Sequence, residues 1–252
     1  MTFNVPAEAY SRFMGRYSEP LAVEFAELAH VRAGQRALDV GCGPGALTAQ
    51  LVKRLGGQAV SAVDPSASFV GAVRARLPAV DVKPGAAERL PFPDDRFDVT
   101  LAQLVVHFMT DPVAGLSEMS RVTRPGGLTG ACVWDHAGDG GPLATFWRAV
   151  NALDPEARDE SQLAGAREGH LAELFEAAGL TDIKPTSLTV TVRFPTFADW
   201  WEPFTVGVGP AGAHVAQLDD AQRETLRSRC EQLMPPAPFE IPASAWCVLA
   251  RA

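Results

Sequence analysis

The chain has 252 residues and a net charge of −8 at neutral pH. An acidic balance without basic runs argues against a nucleic-acid-binding surface. Apolar stretches far shorter than the ~18 residues of a membrane helix predict no membrane span, and no secretory signal pattern stands at the start of the sequence.

Apolar periodicity predicts two helices at the start, over residues 7–14 and 18–31, broken near Gly15 and Pro20. Strand and helix patterns alternate from there. Strands are predicted at 36–40, 58–63, 80–84, 97–103 and 127–134, and helices at 46–55, 66–77 and 112–123. Such alternation is typical of a parallel sheet with helices on both faces.

The second half of the sequence is less regular. Its composition predicts a mobile loop at 135–141, which is rich in Gly and Asp. Beyond the loop we expect helices at 142–153 and 168–178, a strand at 186–193, helical material over 196–234 and a closing strand at 246–251.

The stretch from Ala37 to Gly45 carries the strongest functional signal. A short strand containing Asp39 ends in a turn with glycines at 41, 43 and 45, and a helix pattern follows. Glycines let the backbone approach a ligand closely, and the N–H groups at a helix start favour negative charge. The turn predicts a site for a nucleoside or an amino-acid carboxylate, where Asp39 accepts hydrogen bonds from an ammonium group or braces the loop.

Asp64 ends the next predicted strand. A carboxylate at that position can bind both hydroxyls of a ribose, or it can cap the helix that begins near Ser66. The glycine turn also fits a loose dinucleotide fingerprint, Gly41-x-Gly43-x-x-Ala46. The turn alone therefore leaves a nicotinamide-dependent oxidoreductase open.

Three further motifs follow in order: Glu88 to Val99 with Leu-Pro-Phe, Leu101 to Pro112, and Arg121 to Gly127 with Arg-Pro-Gly-Gly. Together with the glycine turn and Asp64, they resemble the class I S-adenosylmethionine (SAM) methyltransferases, in particular the small-molecule type 11 group. In that family they correspond to the adenine-side loop, the end of strand 4 with its active-site loop, and the turn into strand 5.

The resemblance covers roughly residues 36 to 133. It implies an α/β fold with a Rossmann-like, seven-stranded, mostly parallel sheet, helices on both faces, and strand 7 inserted antiparallel beside strand 5. We expect a single methyltransferase domain over residues 1–252, divided into N-terminal helices at 1–31, a core at 32–193 and 241–252, and a helical cap insertion at 194–240.

The implied activity is methyl transfer from SAM to a small-molecule acceptor, with S-adenosylhomocysteine (SAH) as the product. This in-line displacement needs no covalent enzyme intermediate, so no catalytic triad is expected. The oxidoreductase alternative does not explain the Leu-Pro-Phe and Arg-Pro-Gly-Gly motifs. A non-catalytic SAM-binding module is the second alternative.

The motifs and the resemblance together assign these residues to the cofactor: Tyr10, Arg16, Asp39, Gly41, Cys42, Gly43, Gly45, Asp64, Pro65, Ala87, Glu88, Gln103 and Leu104. Arg16 suits the carboxylate at the methionine end, or it is a solvated cation at a helix end. The family often has Gly-Asp-Ala-Glu in the adenine loop, whereas this chain has Gly-Ala-Ala-Glu. Because Ala86 replaces the acid, the Ala87 backbone and Glu88 must serve, or apolar contacts hold the adenine.

The acceptor side is predicted from four residues. His107 follows strand 4, where it contacts the acceptor and serves as a general base, or is simply packed in the structure. Trp200, Trp201 and Phe204 lie in the cap, where aromatic rings form either an apolar lid over the acceptor or the core of the cap itself.

No metal is expected, because the end of strand 4 offers no cluster of hard oxygen ligands and no His/Cys spacing suggests zinc. The four cysteines, Cys42, Cys132, Cys230 and Cys247, are isolated in sequence, which favours reduced thiols in a cytoplasmic protein. We expect a monomer or homodimer whose partner is a small-molecule acceptor.

Overall fold

A computed structural model describes residues 11–252, and a seven-stranded sheet forms its centre. The strands are β1 (Ala37–Val40), β2 (Val60–Asp64), β3 (Asp81–Pro84), β4 (Phe97–Gln103), β5 (Thr123–Trp134), β6 (Thr181–Phe194) and β7 (Phe239–Arg251). Their order across the sheet is β3-β2-β1-β4-β5-β7-β6. The first five run parallel, and β7 lies antiparallel between β5 and β6. The predicted fold class is confirmed.

Helices cover both faces of the sheet. They are α1 (Arg16–Leu28), α2 (Ala46–Leu55), α3 (Ala67–Arg76), α4 (Pro112–Val122), α5 (Ala144–Leu153), α6 (His170–Ala177), α7 (Phe197–Trp201), α8 (Gly209–Gln217) and α9 (Asp220–Leu233). Alternate side chains of β1 enter two separate clusters. Ala37 joins the cluster with α1, α2 and α3, whereas Leu38 and Val40 join the one with α4 and α6.

Local chemistry explains where several helices begin. The Asp111 side chain accepts a hydrogen bond from the Ala114 N–H at 3.0 Å, and Pro112 occupies the first turn of α4. Thr196 and Asp199 form a reciprocal capping box at the start of α7. These caps satisfy N–H groups that a helix start would otherwise leave unpaired.

The predicted break in the N-terminal helices is wrong. A π-helical turn (Ser11–Gly15) leads directly into α1, and Pro20 lies inside that helix. Proline removes one backbone hydrogen bond, but Leu21 and Phe25 are fully buried on the same helix. Burial of this apolar face stabilises the helix despite the missing bond.

The two antiparallel strands are longer than predicted. β6 begins at Thr181, not near 186, and β7 begins at Phe239, not near 246. β6 forms the edge of the sheet, and most of its side chains are partly or fully exposed, so its alternation is weak. An edge position also tolerates Pro185, which cannot donate to a ladder.

The segment between β6 and β7 folds as helices α7 to α9, with a 3₁₀ turn (Glu202–Val206) after α7. We call residues 197–233 the cap. Within residues 11–252, no helix combines the length and apolarity needed to cross a membrane.

Candidate functional site

The glycine turn after β1 is wound tightly against its neighbours. Gly41 and Cys42 both donate backbone hydrogen bonds to the Val63 carbonyl, at 2.8 and 3.0 Å. Gly41 has a φ of 68°, and a Cβ added there would lie 2.5 Å from both γ carbons of Val105. Gly43 has a φ of 52°, but its added Cβ would meet nothing within 4 Å. The turn is packed at Gly41 and open at Gly43.

Gly45 plays a different part from the one predicted. It precedes α2 in a left-handed conformation, and its carbonyl accepts a hydrogen bond from Arg76. It does not line the adjacent cleft. Gly45 thus starts the helix and packs on α3, which leaves Gly41 and Gly43 as the glycines that border the cleft.

Asp64 ties two loops together at the end of β2. One carboxylate oxygen accepts from the Gly43 N–H at 2.8 Å, and the other accepts from the Ser66 N–H at 2.8 Å. Burial raises the pKa of Asp64, against these hydrogen bonds. A carboxylate oxygen has more than one acceptor direction, so both oxygens can still accept from a ligand.

Asp39 lies beneath the turn and is buried. Its carboxylate accepts the Thr48 hydroxyl at 2.6 Å, which joins β1 to α2. Burial raises its pKa to about 7, the hydroxyl opposes that shift, and the nearby Asp64 adds to it. The structure therefore gives Asp39 a bracing contact, which was one of its two predicted roles.

A cleft of about 250 Å³ opens at the carboxyl ends of β1, β2 and β4. We call it the glycine-turn cleft. It brings together ten residues of the predicted cofactor set: Asp39, Gly41, Cys42, Gly43, Asp64, Pro65, Ala87, Glu88, Gln103 and Leu104. Sequence reasoning missed several others on its walls: Ser18, Phe69, Val105, Phe108, Met109 and Thr110.

Glu88 links the predicted adenine loop to the loop after β4. One of its carboxylate oxygens accepts from the Thr110 N–H at 2.7 Å and from the Asp111 N–H at 3.4 Å. This pairing holds two walls of the cleft in register. A hydrogen bond from Glu88 to adenine remains a prediction.

Besides Gly45, two predicted cofactor residues are not part of the described cleft. Tyr10 lies outside the described residues. The Arg16 guanidinium donates to the Asp199 carbonyl at 3.1 Å and lies 5.4 Å from the centre of the Phe194 ring. Arg16 thus holds α1 to the cap, and its assignment to the methionine carboxylate stays a prediction.

Gln103 is the last residue of β4, and Leu104 follows it at the boundary between cleft and core. The Gln103 amide N–H donates to the Ser18 carbonyl at 2.9 Å, while its Oε1 is buried without a hydrogen-bond partner among the described residues. Leu104 has a φ of 61°, an unusual conformation for a residue other than glycine. Its N–H still bonds to the Cys132 carbonyl at 2.9 Å.

A second, smaller cavity of about 40 Å³ lies beside the cleft and shares Leu104 and Phe108 with it. We call it the histidine cavity. Its walls are Phe13, Met14, Leu104, His107, Phe108, Trp134, His136, Leu143, Glu160 and residues 208–211. At about 10–15 Å³ per water, it has room for roughly three waters or the end of a larger molecule.

His107 and His136 form the polar side of this cavity. Their ring centres are 5.7 Å apart, and His107 is 7% exposed. His107 Nδ1 and His136 Nε2 are buried without a hydrogen-bond partner in the described chain. Burial holds the pKa of His107 well below its usual range and lowers that of His136 to about 4, so both rings are neutral at pH 7.

Glu160 adds a buried carboxyl group to the same cavity. It accepts the Trp147 indole N–H at 2.8 Å, and burial raises its pKa to about 7. The loop that carries His136 is anchored as well. One oxygen of the Asp135 carboxylate accepts from the Gly138 N–H at 2.8 Å and from the Trp246 indole at 3.1 Å, contacts that composition did not predict.

The aromatic residues predicted as an acceptor lid lie elsewhere. Trp200, Trp201 and Phe204 are buried and line neither cavity. Phe204 stacks on Phe146 at 4.5 Å and contacts Phe13 edge-on at 5.1 Å. These rings fill the core between the cap, α5 and the N-terminal turn, which was the other of their two predicted roles. A contact with the acceptor stays a prediction.

Among residues 11–252, no group of three or more His, Cys, Asp or Glu side chains is arranged to hold a metal ion. All four cysteines are buried free thiols.

Comparisons with known proteins place these features in a family. A model described as a methyltransferase domain matches residues 38–130, from β1 into β5. An uncharacterized methyltransferase of Mycobacterium tuberculosis is 37% identical over 135 residues, which are 54% of this chain and 52% of that protein. The chain thus spans about half the length of that curated relative.

A longer match is with a probable S-adenosylmethionine-dependent methyltransferase of Mycolicibacterium smegmatis. It is 32% identical over 187 residues, covering 71% of this chain and 69% of the relative. Among solved structures, a Haemonchus contortus phosphoethanolamine N-methyltransferase with phosphomonomethylethanolamine and SAH bound has a TM-score of 0.60. That likeness covers 97% of this chain and 56% of the other at 17% identity, and it shows the fold alone.

Proposed function

This chain belongs to the SAM-dependent methyltransferase family, and from that premise we propose that it transfers a methyl group from SAM to a small, largely apolar acceptor and releases SAH. Family membership implies SAM as the methyl donor. The observation that carries the proposal is the direct adjacency of the glycine-turn cleft and the histidine cavity, which share Leu104 and Phe108.

The cleft suits SAM by its chemistry. SAM carries a sulfonium and an ammonium, and the cleft is bordered by three acids, Asp39, Asp64 and Glu88. The added Cβ at Gly43 would meet open space, as expected where a ligand lies against the backbone. The buried Oε1 of Gln103 has no partner in the described residues, so a donor group of the ligand would satisfy it.

We assign roles on that basis. Asp64 would accept the ribose hydroxyls while holding Gly43, and the Gly41–Gly43 turn would meet the amino-acid end. The loop at Ala87 and Glu88 would lie along the adenine. When bound, SAM supplies an electrophilic methyl group on a sulfonium that leaves as the neutral thioether of SAH.

The chain itself must orient the acceptor and exclude water. Leu104 and Phe108 present apolar surface between the two cavities, which disfavours bulk water near the reacting atoms. His107 stands on the acceptor side of that boundary, in the histidine cavity and not in the glycine-turn cleft. We propose that His107 is the side chain nearest the reacting atom of the acceptor.

The proposal is tested first by calorimetry with SAH and with NADH. We expect SAH to bind and NADH not to bind; the reverse result would favour a nicotinamide-dependent oxidoreductase. Incubation with SAM and a small-molecule extract, followed by mass spectrometry, should then reveal a product heavier by one CH₂ together with SAH. Tight SAH binding without any methylated product would instead indicate a non-catalytic SAM-binding module.

The cellular setting belongs to the same proposal. Four buried free thiols suit a reducing compartment, so we propose a cytoplasmic enzyme that acts as a monomer or homodimer.

A further inference from the structure

The histidine cavity is apolar on most of its surface. Its apolar lining residues include Phe13 and Met14 from the N-terminal turn, Leu143 before α5, and Ala211 from α8. Three buried polar atoms of its lining residues lack a partner in the described chain: His107 Nδ1, His136 Nε2 and the indole Nε1 of Trp134. A molecule bound there would meet hydrocarbon on several sides and two imidazoles on one side.

The charge of the cavity limits what it can bind. No lysine or arginine is among its lining residues, and residues 1–10 contain neither. Glu160 is the acidic side chain in the wall, and its carboxyl group already accepts a hydrogen bond from the Trp147 indole. An anion would therefore find no counterion in the wall, and burying it is unfavourable when the neighbouring cleft holds neutral SAH. A cation would find no free acidic partner in the wall, and it would also face the positive charge of SAM.

Two neutral imidazoles suit a hydroxyl group. Each neutral ring offers one N–H donor and one bare nitrogen, so a pair of rings can both accept from and donate to the same oxygen. Forming those bonds would satisfy the two imidazole nitrogens that lack partners in the described chain. An ether or alkane of the same size would leave at least one nitrogen unsatisfied.

We propose that the histidine cavity binds the reacting end of the acceptor and selects an uncharged, largely apolar molecule that presents a hydroxyl group to His107 and His136. This inference rests on the proposed function and specifies its acceptor. O-methylation is the reaction that follows from it.

The proton balance of that reaction uses the same residues. The hydroxyl oxygen gains the methyl carbon, the electron pair of the broken carbon–sulfur bond stays on sulfur, and the hydroxyl proton passes to the imidazole of His107. The positive charge lost from sulfur thus reappears as an imidazolium. His136 also borders a separate outer cleft, which contains Asp159 and Asn151, and this gives the proton a route to solvent.

The test measures binding independently of turnover. The protein is labelled with ¹⁵N-histidine, and the ring signals of its five histidines are assigned with single substitutions. It is then titrated with butan-1-ol, butanoate and butylammonium, in the presence and in the absence of SAH. These probes share an unbranched four-carbon chain and differ in the charge of the terminal group.

We expect butan-1-ol to shift the His107 and His136 signals saturably, and the two charged probes to bind about tenfold more weakly or worse. His136→Phe should abolish the response of His107 to butan-1-ol and leave SAH affinity unchanged. The matched control is His30→Asn, at an exposed histidine with a φ of 49°, which should change neither property.

Each outcome decides one point. Equal or tighter binding of butanoate would overturn the inferred substrate class. An unchanged His107 signal in wild-type protein that binds SAH would remove the acceptor from this cavity and leave the proposed function standing. Failure to bind SAH, with a normal butan-1-ol response, would instead contradict the proposed function. Because the wild-type comparison needs no variant, poor folding of His136→Phe would not prevent the test.

Discussion

The two cavities are built in opposite ways. The glycine-turn cleft is assembled from strand ends whose contacts are short and largely polar, such as Asp64 with Gly43 and Asp39 with Thr48. The histidine cavity is assembled from side chains far apart in sequence, from Phe13 to Ala211, and apolar packing holds them together. A cofactor shared by a family can be held by local motifs, whereas an acceptor site depends on how distant segments pack.

The strongest test of this separation is Phe204→Ala. The ring is 1% exposed and packs on Phe146 and Trp200, at 4.5 and 4.8 Å between ring centres. Its removal should lower the free energy of unfolding by about 3–5 kcal/mol, measured by denaturant titration. SAH affinity of the folded variant, measured by calorimetry, should stay within about twofold, because no cleft wall is lost.

A control in the same turn is Val206→Ala. Val206 is 53% exposed, so this change should alter stability by less than about 0.5 kcal/mol. A parallel loss of SAH affinity and stability in Phe204→Ala would show that the two regions are not separable.

The next largest effect concerns two neighbouring glycines. Gly41→Ala places an alanine in a left-handed backbone conformation and brings its Cβ into a clash with Val105. We therefore expect a loss of about 2–4 kcal/mol in unfolding free energy. Gly43→Ala carries the backbone penalty alone, about 1–2 kcal/mol. The added methyl group enters the open cleft. We therefore expect Gly43→Ala to lower SAH affinity in the folded protein, in addition to lowering stability. Unchanged SAH affinity would place the ligand away from the turn.

Asp64→Ala tests the ribose contact. Loss of the carboxylate should weaken SAH binding by about 1.5–3 kcal/mol, on the order of 10- to 100-fold by calorimetry. The variant also loses the bonds to Gly43 and Ser66, so a second ligand is needed. An SAH analogue without ribose hydroxyls should bind wild type and variant alike if the contact is direct. Equal losses for both ligands would mean that Asp64 only braces the turn.

The smallest expected effect is a pH dependence of stability, to which Asp39 beside the glycine-turn cleft and Glu160 in the histidine cavity both contribute. Burial raises the pKa of Asp39 and of Glu160 to about 7, so the folded state favours their protonated forms. Their contribution to stability is complete near pH 4 and is lost as the pH rises through about 7.

Thermal unfolding between pH 4 and 8 checks this expectation. Relative to wild type, Asp39→Asn and Glu160→Gln should each shift the Tm difference between pH 8 and pH 4 upward by a few degrees, since ~1 kcal/mol corresponds to about 2–4 °C in a chain of this size. A Glu160→Gln variant with the same pH profile as wild type would mean that this carboxyl group has an ordinary pKa.

The first half of the sheet could be predicted closely from the sequence, because its signals are local. The helix Ala46–Leu55 and the strand Phe97–Gln103 were predicted with the bounds that the structure has. A turn, a cap or an apolar run identifies such an element without knowledge of its neighbours. β6 was predicted too short, because an exposed edge strand has little alternation to detect.

The acceptor side could not be predicted in the same way. Trp201 and Phe204 have the composition of a lid, and only their packing shows that they belong to the cap core. His136 lies in a segment whose glycines suggested mobility, yet Asp135 anchors that segment to Trp246 on β7. A contact between residues more than a hundred positions apart cannot be predicted from a local sequence pattern.

The π-helical turn and α1, which are continuous, border both cavities. Phe13 and Met14, in the turn before α1, form part of the histidine cavity, while Ser18 within α1 lines the glycine-turn cleft and accepts the Gln103 hydrogen bond. A ligand that fixes α1 from one side therefore prepares the wall that the other ligand meets. Such coupling is reciprocal: if one ligand raises the affinity for the other by a given factor, the second ligand raises the affinity for the first by the same factor, whichever binds first.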